Sequence, residues 1–250
     1  MRAMILAAGL GTRLRPLTDA RPKALVEVAG RTLLEITVAR LQAFGIREVI
    51  INVHHFADMI VDYLKANRNF GMRVEVSREE LLLDTGGGLK KAAHFFLEDA
   101  ADNGEPFLLH NVDVISTIDL RRMADLHRRN NALATLAAQH RDSSRYLLFD
   151  GDLQLCGRQM RSDPKLELVR HSPQLEPLAF CGIHVISARF LKMITEEGIF
   201  SIIKPYLRLA AQGQKILGFR ADQYYWQDLG KPENLKQAAE DVKEGVLLPD

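Results

Sequence analysis

A glycine-rich, basic turn near the start of the chain is the most specific local pattern, with the sequence Gly9-Leu10-Gly11-Thr12-Arg13-Leu14-Arg15-Pro16. It directly follows a short apolar run, which is where the first strand of a parallel sheet is expected to end. Glycines at that edge let the backbone approach an anion, so that its N–H groups can point at phosphate oxygens. The arginines add positive charge. The turn predicts a phosphate site, although alone it fits a structural turn with surface arginines equally well.

Two better-known glycine loops are excluded by single positions. A dinucleotide-binding fingerprint needs a small residue where Leu14 stands, and a P-loop needs Gly-Lys where Leu14-Arg15 stand. The turn therefore belongs to neither motif.

The composition is that of an ordinary globular protein, with 47% hydrophobic residues, 26% charged residues and a net formal charge of +1. Near neutrality argues against an extended nucleic-acid surface. The charge is unevenly placed, because residues 1–23 carry five basic side chains and one acidic one, a net +4, while the remainder carries −3. The apolar run at residues 3–8 is too short for a signal peptide or a membrane span, which predicts a cytoplasmic protein without a membrane partner.

Strand and helix patterns alternate in the first half, as in βαβ units with a parallel sheet. Strands are predicted at 4–6, 49–53, 74–76 and 107–109, and helices at 34–41, 57–66, 89–97 and 120–129. Further strands are predicted at 134–138, 146–149, 153–156 and 180–186, with turns at 150–151 and 162–164, before helices at 188–195, 202–211 and 233–243. We therefore expect an α/β fold, a three-layer αβα sandwich with antiparallel strands inserted beside a mostly parallel central sheet.

Several blocks extend the pattern along the whole chain. The string LAAGLGTRLRPLT is followed by PKAL and by VAG-x-T-L-L-E; later blocks are Asp84-Thr85-Gly86-Gly87-Gly88, Asn111-Val112-Asp113, Phe180-Cys181-Gly182-Ile183-His184-Val185 and Trp226-Gln227-Asp228-Leu229-Gly230-Lys231-Pro232-Glu233. In this order they resemble the sugar-phosphate nucleotidyltransferases, which make nucleoside-diphosphate sugars from a nucleoside triphosphate and a sugar 1-phosphate. The resemblance implies a Rossmann-like core and a single domain over 1–250, with 1–130 mainly nucleotide-binding and 131–250 mainly sugar-binding.

The resemblance also implies roles for individual residues. Arg13 would meet the leaving phosphates and Lys23 the α-phosphate region, which makes them the candidate catalytic residues. Glu79 and Glu80 could accept from a base N–H, but two acids before a loop are usually solvated. The loop at 85–88 would approach the base, or else serve packing. The implied nucleotide-binding set is Leu6, Ala7, Ala8, Gly9, Gly11, Thr12, Arg13, Lys23, Gly86 and Gly87.

Asp113 and Asp228 are, by resemblance, the ligands of Mg²⁺, the one implied cofactor. Asp113 follows the apolar run at 107–109, so it lies at the carboxyl end of a predicted strand. Helix capping and a loop position are the alternative roles for these two acids. The family usually has glycine before the first aspartate, where this chain has Val112, and a β-branched residue does not comfortably adopt positive φ. Val112 therefore bears on the backbone conformation of the segment just before Asp113.

The sugar side follows the family less closely. Relatives have Tyr-Gly and Glu-Lys-Pro where this chain has Arg145-Tyr146-Leu147 and Asp163-Pro164-Lys165-Leu166-Glu167. The candidate sugar-binding residues are Gly182, Glu167 and Asn111. These departures look most like compact bacterial enzymes related to N-acetylmuramate-1-phosphate uridylyltransferases and mannose- or heptose-1-phosphate guanylyltransferases. The sugar, the base and the oligomeric state stay open.

Two other functions share parts of this pattern. A cytidylyltransferase acting on a phosphorylated alcohol such as phosphocholine would have the same glycine-rich turn, whereas the blocks at 180–185 and 226–233 favour a sugar substrate. A catalytically silent sensor of nucleotide sugars should have lost Lys23, Asp113 or Asp228, and all three are present.

Overall fold

The computed structural model describes residues 1–97 and 105–246. None of the helices in these ranges is long and apolar enough to cross a membrane. Short 3₁₀ helices span Thr12–Leu14, Lys23–Leu25 and Arg68–Gly71. The α-helices are α1 (Leu33–Ala43), α2 (Ala57–Ala66), α3 (Asp84–Lys91), α4 (His94–Leu97), α5 (Leu120–Arg129), α6 (Arg189–Lys192), α7 (Ile203–Ala211) and α8 (Pro232–Lys243). The strands are β1 (Ala3–Leu6), β2 (Glu27–Val28), β3 (Arg31–Thr32), β4 (Glu48–Val53), β5 (Arg73–Arg78), β6 (Phe107–Asn111), β7 (Val114–Ser116), β8 (Ala134–Gln139), β9 (Arg145–Phe149), β10 (Leu155–Met160), β11 (Asp163–Leu168), β12 (Glu176–Ile186), β13 (Ile216–Arg220) and β14 (Trp226–Asp228).

The chain forms two units, each assembled from separate segments. The first unit comprises Met1–Leu83, Leu109–Ile118 and Tyr224–Asp250. The second comprises Asp84–Leu108 and Asp119–Gln223. The expected single domain, with a nucleotide half at 1–130 and a sugar half at 131–250, stays a prediction.

The first unit contains β1, β4 and β5 in that order, and β4 is parallel to both β1 and β5. Strands β1 and β4 are nearly continuous apolar runs, as expected of parallel strands covered on both faces, whereas β5, at the end of the strand order, alternates polar and apolar residues. Helix α1 is capped by Thr32, whose Oγ1 accepts from the Glu35 N–H at 3.1 Å, and it buries Leu34, Val38 and Leu41 completely. The expected α/β core is confirmed.

The second unit contains the antiparallel strands that were expected after residue 133. Strands β11, β10, β9 and β12 follow one another, and β8 pairs antiparallel with β12 and parallel with β13. Helix α5 precedes them, and the Asp119 carboxylate caps it by accepting from the N–H groups of Arg121 and Arg122. Insertion of antiparallel strands is therefore confirmed.

Three local expectations are wrong. The turn expected at 162–164 lies earlier, because β10 and β11 are joined across Arg161 and Ser162 and β11 already begins at Asp163. Since β11 ends the strand order, it tolerates a proline that has no N–H to donate. The helix expected at 89–97 is divided into α3 and α4 and begins at Asp84, and the helix expected at 188–195 is the single turn α6.

His127 is a buried and fully hydrogen-bonded histidine in the second unit. Ser187 Oγ donates to the Ala132 carbonyl at 2.7 Å, so it accepts from His127 Nε2–H at 3.0 Å. The opposite ring nitrogen therefore accepts from the Thr135 hydroxyl at 3.0 Å. Burial, assisted by the charges of Arg128 and Arg189, lowers the pKa of His127 from 6.5 to about 4. The side chain is thus neutral in the folded protein.

The free energy of unfolding should decrease as the pH falls from 6.5 towards 4. The unfolded chain binds a proton at His127 in this range and the folded chain does not, which costs at most about 3 kcal/mol of stability. Denaturant unfolding at several pH values measures the effect. His127→Gln should be less stable at pH 7 but lose less further stability on acidification. A variant that retained the full wild-type pH dependence would contradict this assignment.

Candidate active site

The glycine-rich turn follows β1 in the first unit and is stabilised by its own hydrogen bonds. Gly11 has φ of +66°, and its carbonyl accepts from the Leu14 N–H at 2.8 Å and the Thr18 hydroxyl at 2.9 Å. A Cβ at Gly11 would lie 2.9 Å from Thr18 Cγ2, so both backbone conformation and space require glycine. Leu14, the residue that excluded the two known loops, is completely buried and anchors the turn, whereas Thr12 and Arg13 are exposed.

Lys23 and Asp113 form an ion pair inside the first unit. Lys23 begins a 3₁₀ helix and its side chain is 9% exposed, while that of Asp113 is 20% exposed. Lys23 Nζ donates to Asp113 Oδ2. A buried charge is costly without a partner. Two of the residues selected from the sequence are thus brought together.

Asp228 joins this pair through a short two-stranded ladder. Asp113 directly precedes β7, and β14 ends with Asp228, which pairs with Val114 in the antiparallel register. The Leu229 N–H donates to the Asp113 carbonyl at 2.8 Å and continues the ladder by one residue. Asp228 opposite Val114 and Asp113 opposite Leu229 form adjoining pairs, so both acids lie at the same end of the ladder.

Arg13 also approaches Asp228. A Cβ built on Gly230 would lie 2.5 Å from Arg13 Nη2 and 2.6 Å from Asp228 Oδ1, so both groups occupy the space that this glycine leaves open. The Gly230 N–H donates to Asp228 Oδ1 at 2.7 Å and orients the carboxylate. The first unit therefore gathers two cations and two carboxylates, contributed by Arg13, Lys23, Asp113 and Asp228.

These residues fit a magnesium ion that is shared with a substrate. Mg²⁺ is commonly held by one or two carboxylates and completes its shell with water and phosphate oxygens. Asp113 and Asp228 supply two carboxylates, and Asp113 already receives a cation, the Lys23 ammonium. Within residues 1–97 and 105–246, no group of three or more His, Cys, Asp or Glu side chains could hold a metal. A magnesium ion held by these two acids would complete its coordination shell with water and phosphate oxygens.

Val112 replaces the usual glycine without distorting the chain. It is 4% exposed, and its N–H donates to the Leu6 carbonyl at 3.1 Å. Among the described positions with positive φ, Val112 does not occur. The segment before Asp113 therefore needs no left-handed residue here.

Arg40 and His110 are two buried residues of the first unit that the sequence analysis missed. Arg40 of α1 is buried and donates to the carbonyls of Ser116 and Ile118, which fixes the end of β7. His110 is completely buried, and burial together with the Arg40 charge lowers its pKa to about 4. It is therefore neutral and adds no positive charge behind Asp113. The sequence feature that could have identified Arg40 is a single arginine on an otherwise apolar helix face.

The predicted base-binding segment lies at the end of β1. Ala7 and Ala8 are buried and Gly9 is exposed. The Ala7 N–H donates to Asn52 Oδ1 at 2.8 Å, and Asn52 in turn donates to Glu79. Glu79 is 5% exposed, so the expectation that it is solvated is wrong, whereas Glu80 is exposed as expected.

Gly86 and Gly87 lie in the second unit, in the first turn of α3 and not in a loop as expected. Their N–H groups donate to the Phe200 carbonyl at 2.9 and 3.2 Å. A Cβ on Gly86 would lie 2.4 Å from two carbons of the Phe200 ring. Packing against Phe200 therefore accounts for the glycine at 86, and nucleotide binding by the pair stays a prediction.

The three candidate sugar-binding residues occupy different elements. Asn111 ends β6, and its carbonyl accepts from His110 Nδ1–H at 2.7 Å. Gly182 has φ of +73° where the register between β12 and β8 shifts, so glycine is needed there. Glu167 is exposed on β11 and pairs with Arg158 at 2.6 Å. Their contacts with a sugar stay predictions.

Gly86→Ala should destabilise the protein. Alanine is favoured over glycine in helices by about 1 kcal/mol, but overpacking against a buried ring costs about 1–3 kcal/mol, and a Cβ contact of 2.4 Å lies at the severe end. We expect a net loss of about 1–2 kcal/mol in denaturant unfolding. Gly151→Ala, whose Cβ would meet nothing within 4 Å, is the control. A Gly86→Ala variant more stable than wild type would contradict the Phe200 packing.

Comparison with known proteins gives the same assignment as the motifs. A family model described as nucleotidyl transferase matches residues 2–245. The N-acetylmuramate alpha-1-phosphate uridylyltransferase of Caulobacter vibrioides is 33% identical over 95% of this chain and 95% of its own length. A mannose-1-phosphate guanylyltransferase of Mycobacterium tuberculosis is 30% identical over 98% of this chain, which spans 65% of that protein.

A solved structure shows the same fold. The UDP-glucose pyrophosphorylase from Acinetobacter baumanii has a TM-score of 0.76 and 18% identity, over 95% of this chain and 91% of that one. Together with the match over residues 2–245, this establishes that the chain belongs to the nucleotidyl transferase family.

Proposed function

We propose that this protein condenses a nucleoside triphosphate with a sugar 1-phosphate, giving a nucleoside-diphosphate sugar and pyrophosphate. The observation that carries the proposal is the gathering of Lys23, Asp113 and Asp228 in the first unit beside the glycine-rich turn. Family membership supports the reaction class.

The main obstacle to this reaction is electrostatic. A sugar 1-phosphate oxygen forms a bond to the α-phosphorus while the bond from that phosphorus to the leaving pyrophosphate breaks in line. The nucleophile is already an anion, so no general base is needed. Two polyanions must be brought together, and the charge on the α-phosphate and the leaving group must be stabilised.

Lys23 and Arg13 supply positive charge for this step. An ammonium group has three donors, so Lys23 can meet an α-phosphate oxygen while it still donates to Asp113. Arg13 is exposed at the turn beside Asp228, where its guanidinium can meet the leaving phosphates. Backbone N–H groups from Gly11 to Arg13 line the same turn.

Asp113 and Asp228 would hold Mg²⁺, which when bound supplies charge neutralisation between phosphate oxygens. Lys23 fixes Asp113, and the Gly230 N–H fixes Asp228, so both carboxylates are oriented before substrate arrives. Such preorganisation lowers the cost of reaching the transition state.

Relatives suggest which substrates to test first. The Caulobacter relative matches this chain over almost its full length and is named for N-acetylmuramate 1-phosphate and a uridylyl group. UTP with N-acetylmuramate 1-phosphate is therefore the first pair to assay, and GTP with mannose 1-phosphate is the second.

A pyrophosphate-release panel tests the proposal. Purified protein with Mg²⁺ is combined with ATP, CTP, GTP, UTP or dTTP and with a set of sugar 1-phosphates, and phosphocholine is included as a non-sugar acceptor. Release with a sugar 1-phosphate is expected. Release only from CTP with phosphocholine would establish the alternative cytidylyltransferase, and no release from any pair would favour a silent sensor.

Lys23→Ala and Asp113→Asn should each lower kcat by roughly 100-fold or more, since each removes a charged group from the transition state. Steady-state pyrophosphate release on the best substrate pair measures the loss. Arg21→Ala removes a positive charge from an exposed position of the same segment and should change kcat less than about threefold. Near wild-type rates in both site variants would contradict these roles.

A further inference from the structure

Asn52 and Glu79 are buried polar residues of the first unit that the reaction chemistry does not use. Asn52 is 3% exposed and Glu79 is 5% exposed. Asn52 lies in β4 opposite Leu6 of β1, and Glu79 directly follows β5. A buried amide or carboxylate is costly unless it is hydrogen bonded. Their presence among apolar strands therefore needs a physical explanation.

Three hydrogen bonds join this pair to each other and to the backbone. The Ala7 N–H donates to Asn52 Oδ1 at 2.8 Å, and Asn52 Nδ2 donates to Glu79 Oε1 at 2.7 Å. The Leu83 N–H donates to Glu79 Oε2 at 2.9 Å. Every donor in the series meets one acceptor.

The Glu79 carboxylate determines the donor-to-acceptor direction of these hydrogen bonds. A carboxylate only accepts, so Asn52 must turn its NH₂ group towards Glu79 and its oxygen towards Ala7. On the adjoining residue, the Leu6 carbonyl accepts from the Val112 N–H at 3.1 Å. The end of β1 is thus held by two successive backbone groups.

We propose that Glu79, acting through Asn52, positions Ala7 and the β1 end for binding the nucleoside triphosphate. This inference rests on the proposed function, in which residues 6–9 contact the nucleotide. Glu79 is a positioning residue and not a base ligand, because it is only 5% exposed and both of its oxygens accept from the protein. The Ala7 N–H is also occupied, so the nucleotide is met by other atoms of this segment.

The arrangement can be tested by exchanging the amide of Asn52 and the carboxylate of Glu79 between the two positions. Asn52→Asp alone places two carboxylates against each other with no donor between them. Glu79→Gln alone offers an NH₂ group that must face either the Asn52 NH₂ group or the Leu83 N–H. In the double variant N52D/E79Q, the introduced aspartate accepts from Ala7 and from the introduced glutamine, whose oxygen accepts from Leu83. All three hydrogen bonds are restored.

Calorimetric titration with triphosphate and Mg²⁺, without acceptor, should show each single variant binding about tenfold or more weakly than wild type. The double variant should return to within about threefold, and the exposed neighbour variant Glu80→Gln should match wild type. The probe is whichever of ATP, CTP, GTP, UTP and dTTP binds wild type most tightly. In turnover assays, the KM for triphosphate should rise in the single variants while the KM for the acceptor stays unchanged.

A merely structural pair would give a different result. The single variants would then unfold at lower temperature but, measured well below their midpoints, would bind triphosphate like wild type, and this would overturn the proposal. A double variant no better than the singles would also overturn it. Wild type that binds triphosphate but releases no pyrophosphate would refute only the proposed function. Wild type that binds no triphosphate would refute both.

Discussion

The ion pair between Lys23 and Asp113 is the interaction on which the candidate site depends. It joins the segment after the glycine-rich turn to the residue that precedes β7, across 90 positions of sequence. Replacing a buried ion pair by apolar residues is often neutral or stabilising, whereas removing one partner is strongly destabilising. Stability alone therefore does not explain why both charges are present. The proposed roles of Lys23 as a phosphate-binding cation and of Asp113 as a metal-binding carboxylate would explain it.

The charges in the first unit would suit the proposed binding of a polyanion together with its metal. The net +4 of residues 1–23 is concentrated around the turn, where Arg13 and Lys23 lie beside the two carboxylates. Without substrate, the opposite charges stabilise one another. A triphosphate with Mg²⁺ would give each cation a phosphate oxygen and both carboxylates an ion, so the same four residues can serve the empty and the occupied site.

The sequence predicted the parts of the molecule that have a long or distinctive pattern. Helices α2 and α5 have the expected bounds, and the strand patterns gave the α/β core. The sequence could not show β7 and β14, because three residues are too few for an alternating pattern and because these two strands pair with each other and not with the larger sheet. It also could not reveal that Asn52 and Glu79 face each other, because their contact depends on the alignment of β4 with β5. Glycines 86–88 were expected in a loop, and the close approach of Phe200 to Gly86, which depends on tertiary packing, could not be read from the sequence.

The claim that Asp113 and Asp228 hold one metal ion together is tested most directly by a double-mutant cycle on Mn²⁺ affinity in the presence of triphosphate. The account predicts that Asp113→Asn and Asp228→Asn each weaken binding by about tenfold or more, and that the double variant is weakened by much less than the product of the two effects. Such non-additivity is the signature of a shared ion. Wild-type affinity in either single variant, or two fully independent effects, would contradict the account.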